Sequence, residues 1–233
     1  ESGKYVESFT SLNLRPEGGT IPDAEEEDII KWCSSALYAG GADTVVGLLT
    51  AFVLLMVLNP EAQKRAQTEI ARVVGAGRLP TVDDQESLPY VGALIKEVMR
   101  WAPVAPLGDD RVTEDNVYQG CWIPKGTVAH ANVWAIAHDP KTCPDPFAFK
   151  PERFLADELH EPQLDPRKSV FGFGCSVCPG SHFAESSAFL VISCILARST
   201  SRKRWTRMAE KSSRRSRSLQ QSQGSHDSYA ISI

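Results

Sequence analysis

Apolar positions run almost unbroken from Ala36 to Leu58 and stop at Asn59-Pro60. The segment before them, Asp23 to Asp28, is acidic, which suits the positive end of a helix dipole. One long helix is therefore predicted from Asp28 to Leu58, about 46 Å at 1.5 Å per residue. A run this apolar could be mistaken for a membrane span. Asp43 lies inside it, however, and a carboxylate there costs about 2.5–3.5 kcal/mol on insertion. The buried central helix of a larger globular body explains the run better. Two amphipathic helices follow. Glu61 to Val74 ends at Gly75-Ala76-Gly77, and Leu88 to Trp101 begins after Ser87. Between 117 and 133 the apolar period falls to two. Val117 to Ile123 and Thr127 to Val133 read as strands joined at Pro124-Lys125-Gly126, a hairpin signal. Trp134 to His138 reads as a short helical turn before Asp139-Pro140. Ser181 is placed to cap a last helix, His182 to Ala197, whose buried stripe would be Phe183, Ala184, Ala188, Val191, Ile192 and Ile195, with Cys194 in the core.

Two stretches break this regular pattern. The long helix carries Gly40-Gly41-Ala42-Asp43-Thr44 in mid-course. Each interior glycine costs about 1 kcal/mol relative to alanine. Two in a row, followed by a buried carboxylate and a hydroxyl, suggest a tight helix contact or a surface that something must approach closely. The second stretch is Phe171 to Gly180, FGFGCSVCPG. Gly172 and Gly174 can take backbone angles closed to other residues, so this loop can come very near a flat ligand. Pro179 and Gly180 turn the chain into the last helix. Cys178 thus stands at a helix N-terminus, where partial positive charge favours an anionic sulfur. A thiolate in an apolar, glycine-lined loop suits axial ligation of heme iron. Cys175 and Cys178 also form a C-x-x-C with His182 four residues on, so a redox pair, part of a zinc site, or a plain buried turn stays open. Zinc would need a fourth ligand and there is no second pair; a thioredoxin-like start is also missing. His130, His138 and His160 have no partners at metal-ligand spacing and read as ordinary core or surface histidines.

Composition alters this picture in one place. The chain has 233 residues, 42% of them hydrophobic, enough for one large domain or two small ones. The net charge of −4 hides an asymmetry. Residues 198–233 hold nine Lys or Arg against two Asp or Glu, a net of +7, so the other 197 residues carry −11. That segment, with ten serines and no apolar alternation, is expected to be a disordered basic tail. Its abrupt start reads as a reading-frame or splice error just after Ala197; an arginine/serine tail that binds nucleic acid is the other reading. Six cysteines, at 33, 121, 143, 175, 178 and 194, are too sparse for a disulfide framework and suggest a reducing, intracellular compartment. The N-terminus has neither the basic start nor the apolar run of a signal peptide.

Four ordered motifs resemble the cytochrome P-450 family over residues 28–197. The Cys loop matches its Phe-x-x-Gly-x-Arg-x-Cys-x-Gly pattern at Phe171, Gly174, Cys178 and Gly180, with Ser176 where the family has arginine. Gly41, Asp43 and Thr44 match a Gly-x-Asp-Thr step, with Val45 where another hydroxyl is frequent. Glu97 and Arg100 match Glu-x-x-Arg, and Pro151 to Phe154 matches Pro-Glu-Arg-Phe. The resemblance implies a mainly α fold with a small β-rich lobe, of which this chain looks like the C-terminal half: a polar segment at 1–27, a partial domain at 28–197 and the tail at 198–233. It implies a heme monooxygenase that inserts one atom of dioxygen into an apolar substrate, with electrons from a reductase. Cys178 would be the iron ligand. Thr44 would hydrogen-bond dioxygen, Asp43 would help deliver protons, and Arg111 would contact a heme propionate. Glu97, Arg100 and Arg153 would form a buried cluster that locks the Cys loop. Full-length relatives are commonly anchored to the endoplasmic-reticulum membrane, and no anchor is expected in this chain. A truncated product without activity is the competing class, and a nucleic-acid-binding protein a weaker third.

Overall fold

The computed structural model describes residues 7–15, 19–156 and 161–198. His160, and the basic tail beyond Arg198, lie outside these residues. The chain divides into two compact units, Glu1–Val45 and Val46–Ile233.

The first unit holds helix α1, Phe9–Leu14, and the start of the long helix α2, Ala24–Leu58. Asp23 caps α2: its Oδ1 accepts the N–H groups of Glu25 and Glu26 at 2.9 Å, and Glu26 returns a carboxylate to the Asp23 N–H at 3.1 Å. This reciprocal pairing satisfies donors that a helix start leaves open. Thr10 and Ser34 share a hydroxyl hydrogen bond of 2.8 Å. No described residue of this unit is buried. The apolar character of α2 therefore corresponds to a core only from Leu48 onward, where Leu48, Phe52, Val53, Leu55 and Met56 are buried. Ile29, Trp32, Leu37 and Tyr38 are more than half exposed.

In the second unit, the end of α2 joins α3 (Pro60–Val73), α4 (Pro89–Trp101) and α7 (Ser181–Arg198) around one apolar core. Asn59 ends α2 and Pro60 opens α3 at the position where its missing N–H costs nothing. Gly75, at φ 76°, ends α3. Helix α4 is the axis of this core. Val91, Leu94 and Val98 are fully buried on it, against Phe52, Ile70, Phe189 and Ile192.

The β lobe departs from the expected hairpin. Strand β1 (Leu107–Arg111) pairs antiparallel with β4 (Val128–Asn132), Arg111 opposite Val128. Between them β2 (Asn116–Tyr118) and β3 (Cys121–Ile123) form a separate hairpin. The expected strand Val117 to Ile123 folds back on itself because Gln119 and Gly120 both take positive φ, 51° and 81°, as a two-residue hairpin turn requires. The Pro124-Lys125-Gly126 turn then returns the chain to β1, where Gly126 N–H reaches Val112 O at 2.8 Å. Helix α5 (Val133–Ala137) and the short α6 (Arg167–Val170) complete the order.

Helix α7 also corrects the sequence expectation. It starts at Ser181 itself, and Gly180 is the residue outside, its carbonyl accepting the Ala184 N–H at 2.9 Å. The buried face is Ala188, Phe189, Ile192, Ser193 and Leu196, while Phe183 is 74% exposed. A run apolar on nearly all sides does not reveal its inner face. Cys194 is half-buried, and burial pushes its thiol up.

Candidate functional site

The segment that leads into Phe171–Gly180 is pinned by charge. Arg167 grips Asp165 through Nε at 2.9 Å and Nη2 at 2.6 Å, and reaches Glu185 of α7 at 2.6 Å. Lys96 of α4 also reaches Asp165 Oδ2, at 3.0 Å. Burial works to raise the Asp165 pKa, but the hydrogen bonds from Arg167 and Lys96 outweigh it and hold the carboxyl at about 2.

The loop itself is wound by backbone bonds. The Cys178 N–H donates to Phe171 O at 2.7 Å, and the Ser181 N–H to Cys178 O at 3.3 Å. Phe171 packs against the core, whereas 173–180 are exposed, including Cys175 and Cys178. Gly172 and Gly174 have φ of 88° and 57°. At Gly172 a Cβ would lie 3.0 Å from Ser176 O, so that position demands glycine by space as well as by angle. At Gly180 a Cβ would meet Cys178 Sγ at an ordinary 3.9 Å. Phe173, Val177 and Phe183 are 41%, 48% and 74% exposed. An accessible thiol is thus flanked along the chain by apolar side chains open to solvent. Among the described residues, no three His, Cys, Asp or Glu side chains converge as a metal cluster.

Ser176 donates its hydroxyl to Asp110 Oδ1 at 2.9 Å, a link from the loop to β1 that no local pattern signals. Arg111, the next residue, is exposed at the end of β1.

Glu97, Arg100 and Arg153 are buried, 0%, 3% and 8% exposed. Arg100 donates Nε to Glu97 Oε2 at 2.7 Å and Nη2 to Oε1 at 2.9 Å. Arg153 Nε lies 3.2 Å from Glu97 Oε2. The Lys150 N–H adds a bond to Oε1 at 2.8 Å, so the carboxylate is fully used. The remaining guanidinium N–H groups go to the carbonyls of Ala137, Pro144, Asp145, Pro146 and Ala148 and to Gln163. The cluster therefore clamps residues 137–163. Among the described hydrogen bonds none runs from it to 171–180, so any hold on the Cys loop is indirect. His138 lies beside it, buried, stacked on Trp134 with ring centroids 4.4 Å apart, and burial lowers its pKa.

On α2, Thr44 Oγ1 donates to Gly40 O at 2.7 Å. Asp43 and Thr44 are exposed, and a Cβ at Gly40 or Gly41 would meet nothing within 4 Å. The carboxylate expected to be buried is thus open, because no described side chain covers this turn.

The family model described as Cytochrome P450 matches residues 17–216. The chain belongs to the cytochrome P450 family. The match continues to 216, past the change of composition at Ala197. Cytochrome P450 monooxygenase claR of Ampulloclitocybe clavipes is 48% identical over 197 residues, covering 84% of this chain and 36% of the relative. Cytochrome P450 monooxygenase 208 of Postia placenta is 46% identical over 197 residues, covering 84% and 37%. A zebra fish cytochrome P450 solved with abiraterone superposes with a TM-score of 0.68 at 31% identity, over 85% of this chain and 47% of that one. The chain thus spans little more than a third of the length of the curated relatives it matches. Its mainly helical architecture with small antiparallel sheets is a partial P450 fold.

The residues of the Cys loop fit the thiolate side of a heme: an exposed cysteine sulfur, glycine at the crowded position and apolar neighbours. The propionate side differs from the family pattern. Ser176 stands where the arginine would be, and it is paired with a carboxylate.

Proposed function

We propose that this chain carries the heme-thiolate part of a monooxygenase that inserts one atom of dioxygen into an apolar organic substrate, with electrons from a partner reductase. The observation that carries the proposal is the exposed Cys178 on a loop whose Gly172 cannot accept a side chain without strain. Heme bound there supplies the oxygen chemistry, while the protein supplies the ligand, the pocket and the protons. Phe171 holds the Cys178 N–H through its carbonyl, and Gly174 and Gly180 flank the cysteine along the loop. Arg111 is the candidate cation for a propionate.

Proton supply falls to α2. Thr44 spends its hydroxyl hydrogen on Gly40 O, which leaves its oxygen lone pairs free to accept. Asp43, one residue before, is open to solvent and can take up protons and pass them on, the work of a general acid. Because Asp43, Thr44 and Cys178 are all exposed here, water would reach each of them, and these 233 residues alone are proposed not to turn over substrate. Helix α2 is long and apolar enough to cross a membrane by length and composition. It is assigned instead to a globular body, since its C-terminal part is buried in the core.

The test compares Cys178→Ser with Cys175→Ser after addition of heme, reduction and carbon monoxide. A thiolate-type spectrum kept by Cys175→Ser and lost by Cys178→Ser is expected. The reverse pattern would move the ligand to Cys175.

A further inference from the structure

Cys178 has a use as an iron ligand, but Cys175, three residues before it, has none. We propose that Cys175 and Cys178 form a reversible disulfide in the heme-free protein, and that this bond closes the site to heme. The inference rests on Cys178 as the axial ligand and adds a redox gate to that same site.

Both thiols are free and exposed; Cys33 and Cys121 are exposed too but lie more than fifty residues away along the chain, Cys143 is buried and Cys194 half-buried. Only two residues separate them, and the chain bends at Val177. Ser176 ends a 3-10 turn, Gly174–Ser176, and Val177 is extended at φ −56° and ψ 136°. A four-residue turn of this helical-then-extended kind keeps its end Cα atoms within about 7 Å. A disulfide needs a Cα separation of about 4.4–6.8 Å. The turn can also tighten cheaply. A Cβ at Gly174 would meet nothing within 4 Å, positive φ at Gly172 and Gly174 puts two compliant hinges ahead of Cys175, and helix α7 begins only at Ser181. The Ser176 hydroxyl between them is occupied by Asp110, so the two thiols are the reactive side chains of the turn.

The oxidant is a small-molecule disulfide such as oxidised glutathione. The Cys175 sulfur attacks it and forms a mixed disulfide, releasing one reduced glutathione. Cys178 sulfur then attacks the Cys175 sulfur and releases the second. Two protein S–H bonds are lost, one S–S bond forms, and one oxidised glutathione becomes two reduced ones. The Cys178 sulfur, now bonded to sulfur, carries no negative charge with which to hold iron. Excess thiol reverses the step and reopens the site.

The experiment equilibrates the heme-free 233-residue chain in glutathione buffers of rising oxidised fraction, blocks remaining thiols by alkylation and digests with trypsin. The peptide Ser169–Arg198 contains Cys175, Cys178 and Cys194. It should become lighter by two hydrogens, with alkylation confined to Cys194, and Cys175→Ser should show no such bond. Heme is then added to each sample. Uptake by the oxidised wild type should fall at least about tenfold, while reduced wild type, and Cys175→Ser in either buffer, take it up. Absence of the Cys175–Cys178 bond at every ratio overturns the gate, as does equal heme uptake by oxidised and reduced wild type. If reduced wild type and Cys175→Ser both refuse heme, these residues do not take it up and the gate falls with that reading. The mass measurement distinguishes that failure from a failure of the disulfide.

Discussion

Truncation of Arg100 to alanine should be among the most damaging changes available in this chain. The side chain makes two bonds to Glu97, at 2.7 and 2.9 Å, and others to the carbonyls of Pro146, Ala137 and Ala148 at 2.8, 3.1 and 3.4 Å. It is 3% exposed, so water cannot replace what is lost. Breaking a buried pair by removing one partner costs about 3–5 kcal/mol. Glu97 keeps Arg153 and the Lys150 N–H, and Ala148 O keeps Arg153, so the pair itself falls at the low end of that range, to which the freed carbonyls of Ala137 and Pro146 together add about 1 kcal/mol. About 4 kcal/mol is expected, a fall in Tm of about 8–16 °C for a chain of this size. Arg65→Ala is the control, because its pair with Glu152 is about half exposed and should be worth less than about 1 kcal/mol. Thermal and urea unfolding can be followed through Trp101, whose indole N–H donates to Phe147 O at 3.2 Å in the clamped segment. Glu97→Gln should cost at least as much, since two guanidiniums would then face each other without a carboxylate. If Arg100→Ala matches Arg65→Ala within about 1 kcal/mol, the cluster does not hold the fold as its burial implies.

Two smaller effects are expected nearby. Gly172→Ala should destabilise by about 1–3 kcal/mol, from φ 88° and a Cβ 3.0 Å from Ser176 O, and more than Gly174→Ala, which has open space; equal unfolding midpoints would refute the steric argument. Asp165 is held at about 2, below its ordinary 3.8, so its contribution is fully present above about pH 4 and is lost as pH falls toward 2. With the discount for partial exposure, about 1 kcal/mol of acid sensitivity should vanish in Asp165→Asn, and parallel pH–stability curves for wild type and variant between pH 4 and 2 would exclude it.

Much of the helical frame is legible locally. Asn59-Pro60 separates α2 from α3, Gly75 ends α3, and the carboxylates at Asp23 and Glu26 start α2, because each signal acts through backbone groups within four residues. The four motifs name their family for a similar reason: they are short strings whose order along the chain is itself the information. What only folding decides depends on distant residues. Strand β1 finds β4 across the inserted β2–β3 hairpin, a pairing that alternation within either strand cannot show. The inner face of α7 is settled by Phe52, Ile70 and Val98 on other helices, since its own sequence is apolar nearly all round. Spacing alone does not tell whether Glu97 and Arg100 are buried; the family resemblance joins them to Arg153, and only the folded chain adds the Lys150 N–H and shows that the cluster clamps residues 137–163 rather than the Cys loop directly. Asp43 shows the opposite case. Its apolar neighbours along α2 suggest burial, yet the side chain is open, because burial belongs to whatever packs against a helix and not to the helix alone.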